Sequence, residues 1–465
     1  MLKDLKSSRE KFRVLFEPKT LAVVGISLTN DRHPANVIFA KNHLRYPVKV
    51  FGVNDKGGRY QGEEVYRSIL DIPEKVDLAV IAVRAEYVPG VLRESIEAGA
   101  GGAVIISGGF AEVGRRDLQD HITQMAKEAG FPCIGPNCIG IFSPSHLDTF
   151  FIPSERMVLP MPGNVAVVSQ SGGILADQMV KFAGEGVGLS RAISIGNKAL
   201  ISELDLLEIL IRDSRTKVIA FYIEGFGRNE GRRFVLAAKA SPKPIIVLKA
   251  GKSPGGVGAV ASHTASMAGD YKTFSQALSQ FGVVEARNEL ELVSFCESLS
   301  CYDRSIQGNM GIITGSGGHG ALAVDVCTDH GLLVPQLSEV VQEEIRKRLS
   351  SSVRAITSLK NPVDLTGSAR DDDFVAAVDA LVKNPEIDCV ILLLLPYLPG
   401  ISSDLGARLS QLYLQWRKPL IAYVPHVEKY RMLVEGFELN GVPVSHSIEG
   451  AVLMAEGMRR CRQCR

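Results

Sequence analysis

The chain has 465 residues, a formal net charge of +1, 46% hydrophobic and 22% charged residues. That length is too great for one core and points to roughly two to four domains. The balanced charge supplies no field for nucleic acid or an anionic membrane surface. The opening MLKDLKSSRE holds no apolar core of signal-peptide length. The most apolar run, Cys389–Leu395, is far shorter than the roughly 20 residues a bilayer requires. The eight cysteines are scattered without a disulfide framework, and the lone CxxC at Cys461–Cys464 reads as a loose end rather than a metal or redox site. The expectation is a cytoplasmic protein with reduced thiols, no membrane contact and no nucleic-acid partner.

Along the chain one pattern recurs: a short apolar β-branched run, a Gly-rich or polar turn, then a helical period. This is the signature of βαβ units and a parallel sheet. The first block runs to about residue 145, with strands expected at Leu21–Gly25, Val48–Val53, Leu78–Val83, Ala103–Ser107 and Pro132–Ile134. They end in the turns GISLTN, VNDKGG, AVRAE, SGGFAE and GPNC. Phe142–Pro162 contains four prolines and little periodicity, and reads as a linker. The second block has strands at Val165–Ser169, Leu189–Ile195, Val218–Ile223 and Ile245–Leu248. A third starts near Asn309 with MGIITGSGGHGALAVDVC and continues through NPVDLTG (361–367), CVILLLLP (389–396) and PLIAYVP (419–425).

Ligands of open parallel sheets bind outside the carboxyl ends of the strands. In the second block that edge receives Ser169, Gln170, Ser171, Gly172 and Gly173 opening a helix, then Gly196-Asn197, then Glu224, then a long loop Lys249–Gly269 carrying His263. A helix start presents free N–H groups and the positive end of its dipole, which suits a phosphate. Neutral imidazole is a competent phosphoryl acceptor. A carboxylate at a neighbouring strand end can fix its tautomer. Each feature also has an ordinary reading: a surface or capping histidine, a helix cap, a solvated strand end. Gly251-Lys252-Ser253 resembles the end of a P-loop, but the first glycine of that motif would fall at Ile246. Gly25-Ile26-Ser27-Leu28-Thr29-Asn30 does not fit GxGxxG, which weakens a nicotinamide reading and leaves room for another adenine-containing ligand. No metal site is expected; the Gly-Gly-His-Gly run at 317–320 reads as a strand-to-helix turn.

The run Ala261-Ser262-His263-Thr264 followed by Ala268-Gly269-Asp270 resembles the phosphohistidine loop of NDP-forming acyl-CoA synthetases, relatives of succinyl-CoA synthetase. GPNCIGI (135–141), VSQSGG (168–173), SIGNKALISELDLLEIL (194–210), YIEGF (222–226) and NPVDLTG occur in the family's order across nearly the whole chain. The resemblance implies an α/β fold with a CoA-binding Rossmann-like domain (1–145), a flavodoxin-like domain with the phosphohistidine loop (146–303) and a second flavodoxin-like domain (304–465). It implies an acid–thiol ligase interconverting acyl-CoA, phosphate and NDP with a carboxylic acid, CoA and NTP through an acyl phosphate. His263 then carries the phosphoryl group, Glu224 orients it, and Ser169–Gly173 face the phosphate. Gly25, Ser27, Asn54, Val83, Ser107, Gly108, Gly109 and Phe110 match CoA-contacting turns, and Asn137 and Cys138 the turn near the thiol. The chain departs from the family at Ala265-Ser266-Met267, at Arg84 where proline is usual, and at Asp31, Arg32 and His33. It resembles the alpha subunit of a split, hetero-oligomeric enzyme whose ATP-grasp beta subunit holds ADP/ATP and Mg²⁺. The other expectation is a non-catalytic, CoA-responsive binding or regulatory protein of the same fold.

Overall fold

The computed structural model describes residues 12–227, 229–264 and 270–462, with the backbone alone for 261–264. Two compact units emerge: residues up to Gly184 with Gly188–Glu285, and Glu185–Val187 with Ala286 onward. Among the described residues no helix is long and apolar enough to cross a membrane.

The first unit contains two seven-stranded sheets. Strands β1 (Thr20–Val24), β2 (Lys49–Val53), β3 (Gly58–Tyr60), β4 (Glu63–Tyr66), β5 (Leu78–Ile81), β6 (Ala103–Ile105) and β7 (Cys133–Ile134) line up as β3-β4-β2-β1-β5-β6-β7. All neighbours are parallel except β3 and β4. These two form a hairpin at Gln61-Gly62, where φ is 51° and 86°. Two consecutive positive φ values give the turn whose twist matches a two-residue hairpin. The sequence places a turn at 53–58 and no strand between it and Leu78, so this hairpin is an addition by the structure.

The second sheet uses β8 (Ile141–Ser143), β9 (Leu147–Asp148), β10 (Pro162–Ser169), β11 (Leu189–Ser194), β12 (Val218–Ile223), β13 (Ile245–Lys249) and β14 (Val284–Ala286), ordered β14-β13-β12-β10-β11-β8-β9. The expected linker at 142–162 therefore begins as a hairpin: β8 runs antiparallel to β11, pairing Phe142 with Ala192, and β9 completes the edge. Prolines mask these strands in the sequence. Burial explains them, since Ile141, Phe142, Leu147 and Phe150 are all buried. Alternation splits β1 between two cores: Leu21 and Val23 face the cluster shared with Val168, Ile193, Phe221 and Val247 of the second sheet, while Ala22 and Val24 face Val88, Leu92 and Ile122.

The second unit has one parallel sheet, β16-β15-β17-β18-β19, from β15 (Met310–Thr314), β16 (Val363–Asp364), β17 (Cys389–Leu393), β18 (Leu420–Tyr423) and β19 (Val444–Ser445). Asn361 of the NPVDLTG run, at φ 86°, accepts from the Ile312 N–H at 2.9 Å and donates to the Met310 and Pro335 carbonyls at 2.9 and 2.8 Å. Its amide thus extends the pairing of β15 where β16 is too short to do so.

A buried polar clamp ties the helix Pro34–Arg45 to β9. Lys41 Nζ lies 2.8 Å from Asp148 Oδ2, and Asn42 exchanges hydrogen bonds with the Asp148 carbonyl (2.7 Å) and N–H (3.0 Å). Burial pushes the Asp148 carboxyl up and the Lys41 amine down despite their attraction. Desolvation therefore outweighs the Coulomb gain, so the pair contributes more to register than to net stability. Asp148→Ala, which strands a buried cation, is expected to lower the unfolding free energy by about 3–5 kcal/mol. The Lys41→Met/Asp148→Leu double variant should recover most of that loss. Chemical denaturation of both proteins checks the order.

Candidate functional site

In the first sheet the connection order reverses between β1 and β5, and in the second between β10 and β12. Such reversals open a crevice at the carboxyl ends of the strands. A cleft of about 580 Å³ lies there, lined by the turns after β5 (Ala82–Arg84), β6 (Ile106–Gly108) and β7 (Asn137–Ile139) on one wall. The other wall carries Gln170–Gly173 after β10, and Gly196 and Asn197 after β11. His33, Pro34 and Phe151 complete the lining. The structure thus brings Val83, Ser107, Gly108, Asn137 and Cys138 together with Gln170, Ser171, Gly172 and Gly173.

The two walls touch through close-packed backbone. A Cβ on Gly196, whose φ is 54°, would lie 2.3 Å from the carbonyl oxygens of Pro136 and Asn137. A Cβ on Gly172 would lie 2.6 Å from Ile139 Cγ2. Three backbone bonds hold the same turn: Asn137 N–H to Ser107 O (2.8 Å), Asn197 N–H to Pro136 O (2.9 Å) and Ala199 N–H to Gly135 O (3.0 Å).

The remaining expected contacts of the first wall lie beside the cleft. Gly25, at φ 109°, packs where a Cβ would stand 2.4 Å from Ala82 O. Ser27 spends its N–H on Asn36 Oδ1 (2.7 Å), and its Oγ accepts from Asn30 N–H (3.0 Å). Asn54 donates to Ile26 O and accepts from Lys56 N–H at 2.8 Å. These residues shape the turns after β1 and β2 and are not among the cleft-lining residues. Phe110 is a fully buried core side chain, and Gly109 donates to Glu112. Cys138 is buried with its Sγ 3.3 Å from Ile105 O, and burial pushes its thiol up to about 12. It is therefore a neutral thiol and a poor nucleophile.

On the other wall the helix Gly172–Gly184 starts at the cleft. Its first N–H groups have no intrahelical partner. Ser169 Oγ accepts from Ser171 N–H at 3.2 Å and donates to Ser171 O at 2.7 Å, which fixes the approach to the helix. Gln170 reaches behind it: Oε1 accepts from the Glu224 and Gly225 N–H groups, and Nε2 donates to Gly225 O (2.7 Å) and to Glu203. Glu203 is buried against Lys198 Nζ at 3.0 Å, and burial raises its carboxyl. Lys198 also donates to Gly225 O at 2.7 Å. The Gln170–Glu203–Lys198 set thereby fixes the strand end that carries Glu224. Glu224 is buried, with its carbonyl accepting from Lys249 Nζ at 2.8 Å.

The Gly-rich segment after β13, expected as a long loop over Lys249–Gly269, is instead helical over Pro254–Thr264, and 265–269 lie outside the described residues. Ser253 starts it, accepting from Gly256 N–H at Oγ (3.1 Å) and from Val257 N–H at its carbonyl (2.8 Å), with proline at the first helical position. The Ser-Pro pair was the available signal, and the glycines hid it. The His263 backbone falls in the last turn of this helix, and its side chain lies outside the described residues. The helix packs beside the short 3₁₀ turn Ala111–Val113, which follows β6 on the first wall. Asp270 caps the next helix by accepting from Thr273 N–H at 2.7 Å.

Residues 19–144 match the family described as a CoA binding domain, 162–299 a succinyl-CoA ligase-like flavodoxin domain, and 310–401 a Ligase-CoA domain. The subunit alpha of the ADP-forming acetate–CoA ligase I of Pyrococcus furiosus is 34% identical over 454 residues, covering 94% of this chain and 95% of that one. This chain belongs to the ADP-forming acetate–CoA ligase family. The ADP-forming acetate–CoA ligase I of Archaeoglobus fulgidus is 38% identical over 386 residues, and the match covers 82% of this chain but 54% of that longer protein. A solved structure of the dinucleotide-forming acetyl-coenzyme A synthetase 1 of Ca. Korarchaeum cryptofilum, in complex with phosphate and ADP, aligns with a TM-score of 0.86 at 29% identity, covering 97% of each chain.

Within this ligase-family cleft, His33, Ile106 and Phe151 are lining residues that the sequence reading did not assign. His33 drew notice only as an atypical residue. Its Nδ1 accepts from Ala35 N–H at 3.3 Å as a helix cap, and burial holds the imidazole below its usual pKa. Arg84, the other departure, also lines the cleft. Gly196→Ala is expected to force the Pro136–Asn137 turn outward and to destabilise the fold by about 1–3 kcal/mol, the scale of a strained backbone site. Thermal and chemical denaturation test it; unchanged stability would mean that the turn yields freely.

Proposed function

We propose that this chain is the alpha subunit of an NDP-forming acyl-CoA synthetase. It would interconvert acyl-CoA, phosphate and NDP with a carboxylic acid, CoA and NTP through an acyl phosphate and phosphorylated His263. The observation that carries this reading is the cleft itself. One wall comes from the CoA-binding-domain turns at Val83, Ser107, Gly108, Asn137 and Cys138, and the other is the helix start at Gln170–Gly173. The chemistry of the lining fits a pantetheine arm. Ile106, Ile139 and Phe151 offer apolar contact, while Ser107 and Asn137 offer polar groups to amides.

In this mechanism phosphate binds against the helix start, where unpaired N–H groups and the dipole offset its charge. A phosphate oxygen attacks the thioester carbonyl, the C–S bond breaks, and the CoA thiolate leaves and takes a proton. Cys138, held neutral by burial, does not compete as an acyl acceptor. The His263 ring nitrogen then attacks phosphorus, the P–O bond to the acyl group breaks, and the carboxylate departs. Glu224, held rigidly by Gln170, would accept the other ring N–H and stabilise the cation. Packing of the His263-bearing helix beside the turn after β6 supports its service to this cleft.

The division into domains 1–145, 146–303 and 304–465 is part of this reading; the three separate sheets support the number of domains, although β8 pairs in the second sheet and the second unit starts at Ala286. So are a cytoplasmic location and a hetero-oligomer with an ATP-grasp beta subunit. That partner would hold ADP/ATP and its Mg²⁺, which supplies charge neutralisation for phosphoryl transfer. The name of the Pyrococcus relative supports the split arrangement, whereas the longer Archaeoglobus relative leaves a fused one as the comparison to exclude.

Incubation with acetyl-CoA and ³²P-phosphate should label the chain with acid-labile phosphate. His263→Ala and His263→Asn should abolish the label while CoA affinity stays within about threefold. Glu224→Gln should slow labelling on the order of 100-fold. Stable labelling at a residue other than His263 would sink the assignment.

ATP synthesis from acetyl-CoA, ADP and phosphate should be absent with this chain alone and appear when an ATP-grasp beta subunit is added. Robust synthesis by the isolated chain would overturn the proposed division of labour.

A further inference from the structure

Glu112 sits between the two walls of the cleft, and neither a sequence motif nor the proposed chemistry assigns it a role. One carboxylate oxygen, Oε1, accepts from the Gly109 and Phe110 N–H groups at 2.5 and 3.1 Å, closing the turn after β6. The other, Oε2, accepts from Asn197 Nδ2 at 2.6 Å. Asn197 also donates to Gln119 Oε1 at 2.9 Å, and its Oδ1 accepts from Asn137 Nδ2 at 3.2 Å. One ionised group therefore joins the turns after β6 and β11 and reaches the cleft-lining amide of Asn137. Gly108 packs into this junction: a Cβ there would lie 3.2 Å from Asn137 Oδ1 and 3.4 Å from Glu112 Oε1.

We propose that Glu112 is a positioning residue whose carboxylate locks the acyl-CoA wall of the cleft to the phosphate wall. It thereby sets the distance over which phosphate meets the thioester. The proposal rests on the acyl-CoA and phosphate reading of the cleft. Attack requires the reacting atoms to be held about 3–3.5 Å apart, so a small loosening between two sheets is costly. Burial works against a charge at Glu112, yet hydrogen bonds from Asn197, Gly109 and Phe110 hold its carboxyl below the usual range. An ionised carboxylate suits the place because it faces three N–H donors and offers none of its own. Its turn also packs beside the helix Pro254–Thr264, so the lock stands where both walls and that helix meet.

The donor pattern supplies a specific test. Glu112→Gln keeps the shape but turns one acceptor into an N–H donor that opposes Asn197 Nδ2. Adding Asn197→Asp reverses the polarity, so that the new carboxylate accepts from the introduced amide, from Asn137 Nδ2 and from a rotated Gln119. The measurement is the single-turnover rate of ³²P labelling at saturating acetyl-CoA and phosphate, with the half-saturating acetyl-CoA concentration read in parallel. Glu112→Gln should slow labelling about 10- to 100-fold, the scale of hydrogen bonds to a charged group. The half-saturating concentration should move less than about threefold. Asn197→Asp in that background should restore most of the rate.

Wild-type labelling with an unimpaired Glu112→Gln variant would overturn this inference and leave the proposed function standing. So would a parallel loss of acetyl-CoA affinity in Glu112→Gln, or failure of the double variant to recover while still folded by circular dichroism. An unlabelled wild-type chain would instead remove the proposed function, and the lock with it.

Discussion

The site depends on how closely two sheets approach at the turn Gly135–Cys138. That turn belongs to the first sheet, yet the carbonyls of Pro136 and Asn137 press on Gly196 of the second so tightly that a Cβ would stand 2.3 Å away. Backbone packed at that distance cannot slide, because interiors are as dense as organic crystals and respond to strain by moving whole elements. Two crevices that would be separate in isolated parallel sheets merge into a single cleft. The shared apolar core beneath, from Leu21 and Val80 to Val168 and Phe221, keeps the sheets in that relation.

Charge around the cleft is arranged by burial rather than by number. Cys138 lines the cleft and is kept neutral. Glu112 is kept ionised by the N–H groups that surround it. Glu203 is buried deeply enough to raise its carboxyl, but Lys198 and Gln170 give it partners, and those two converge on the Gly225 peptide beside Glu224. Low local dielectric strengthens each of these contacts and makes an unpaired member expensive. The polar groups behind the cleft therefore fix geometry, leaving the helix start at Gly172 on the cleft wall.

Much of this was legible in the chain before folding. The turns after β5, β6, β7, β10 and β11 all sit at expected strand ends, because a parallel strand buried on both faces must be a short apolar run and must be followed by a break. The misses share a cause. The hairpin β8–β9 lay inside a proline-rich stretch, where local propensity argued against strands and burial of Phe142 and Leu147 overrode it. The helix Pro254–Thr264 lay under glycines whose low propensity concealed a Ser-Pro start.

The sequence by itself determined the order of βαβ units, the glycine and polar residues at strand ends, and the motifs that place the chain in its family. Those are local properties: periodicity, turn chemistry and short runs of residue types. The tertiary structure alone decided which turns share a cleft. It left Gly25, Ser27 and Asn54 beside that cleft, put Phe110 in the core, and made partners of Glu112, Asn197 and Asn137, which are up to 85 residues apart. Hydrogen bonds across that separation follow from how two sheets pack, and no window along the chain contains that information.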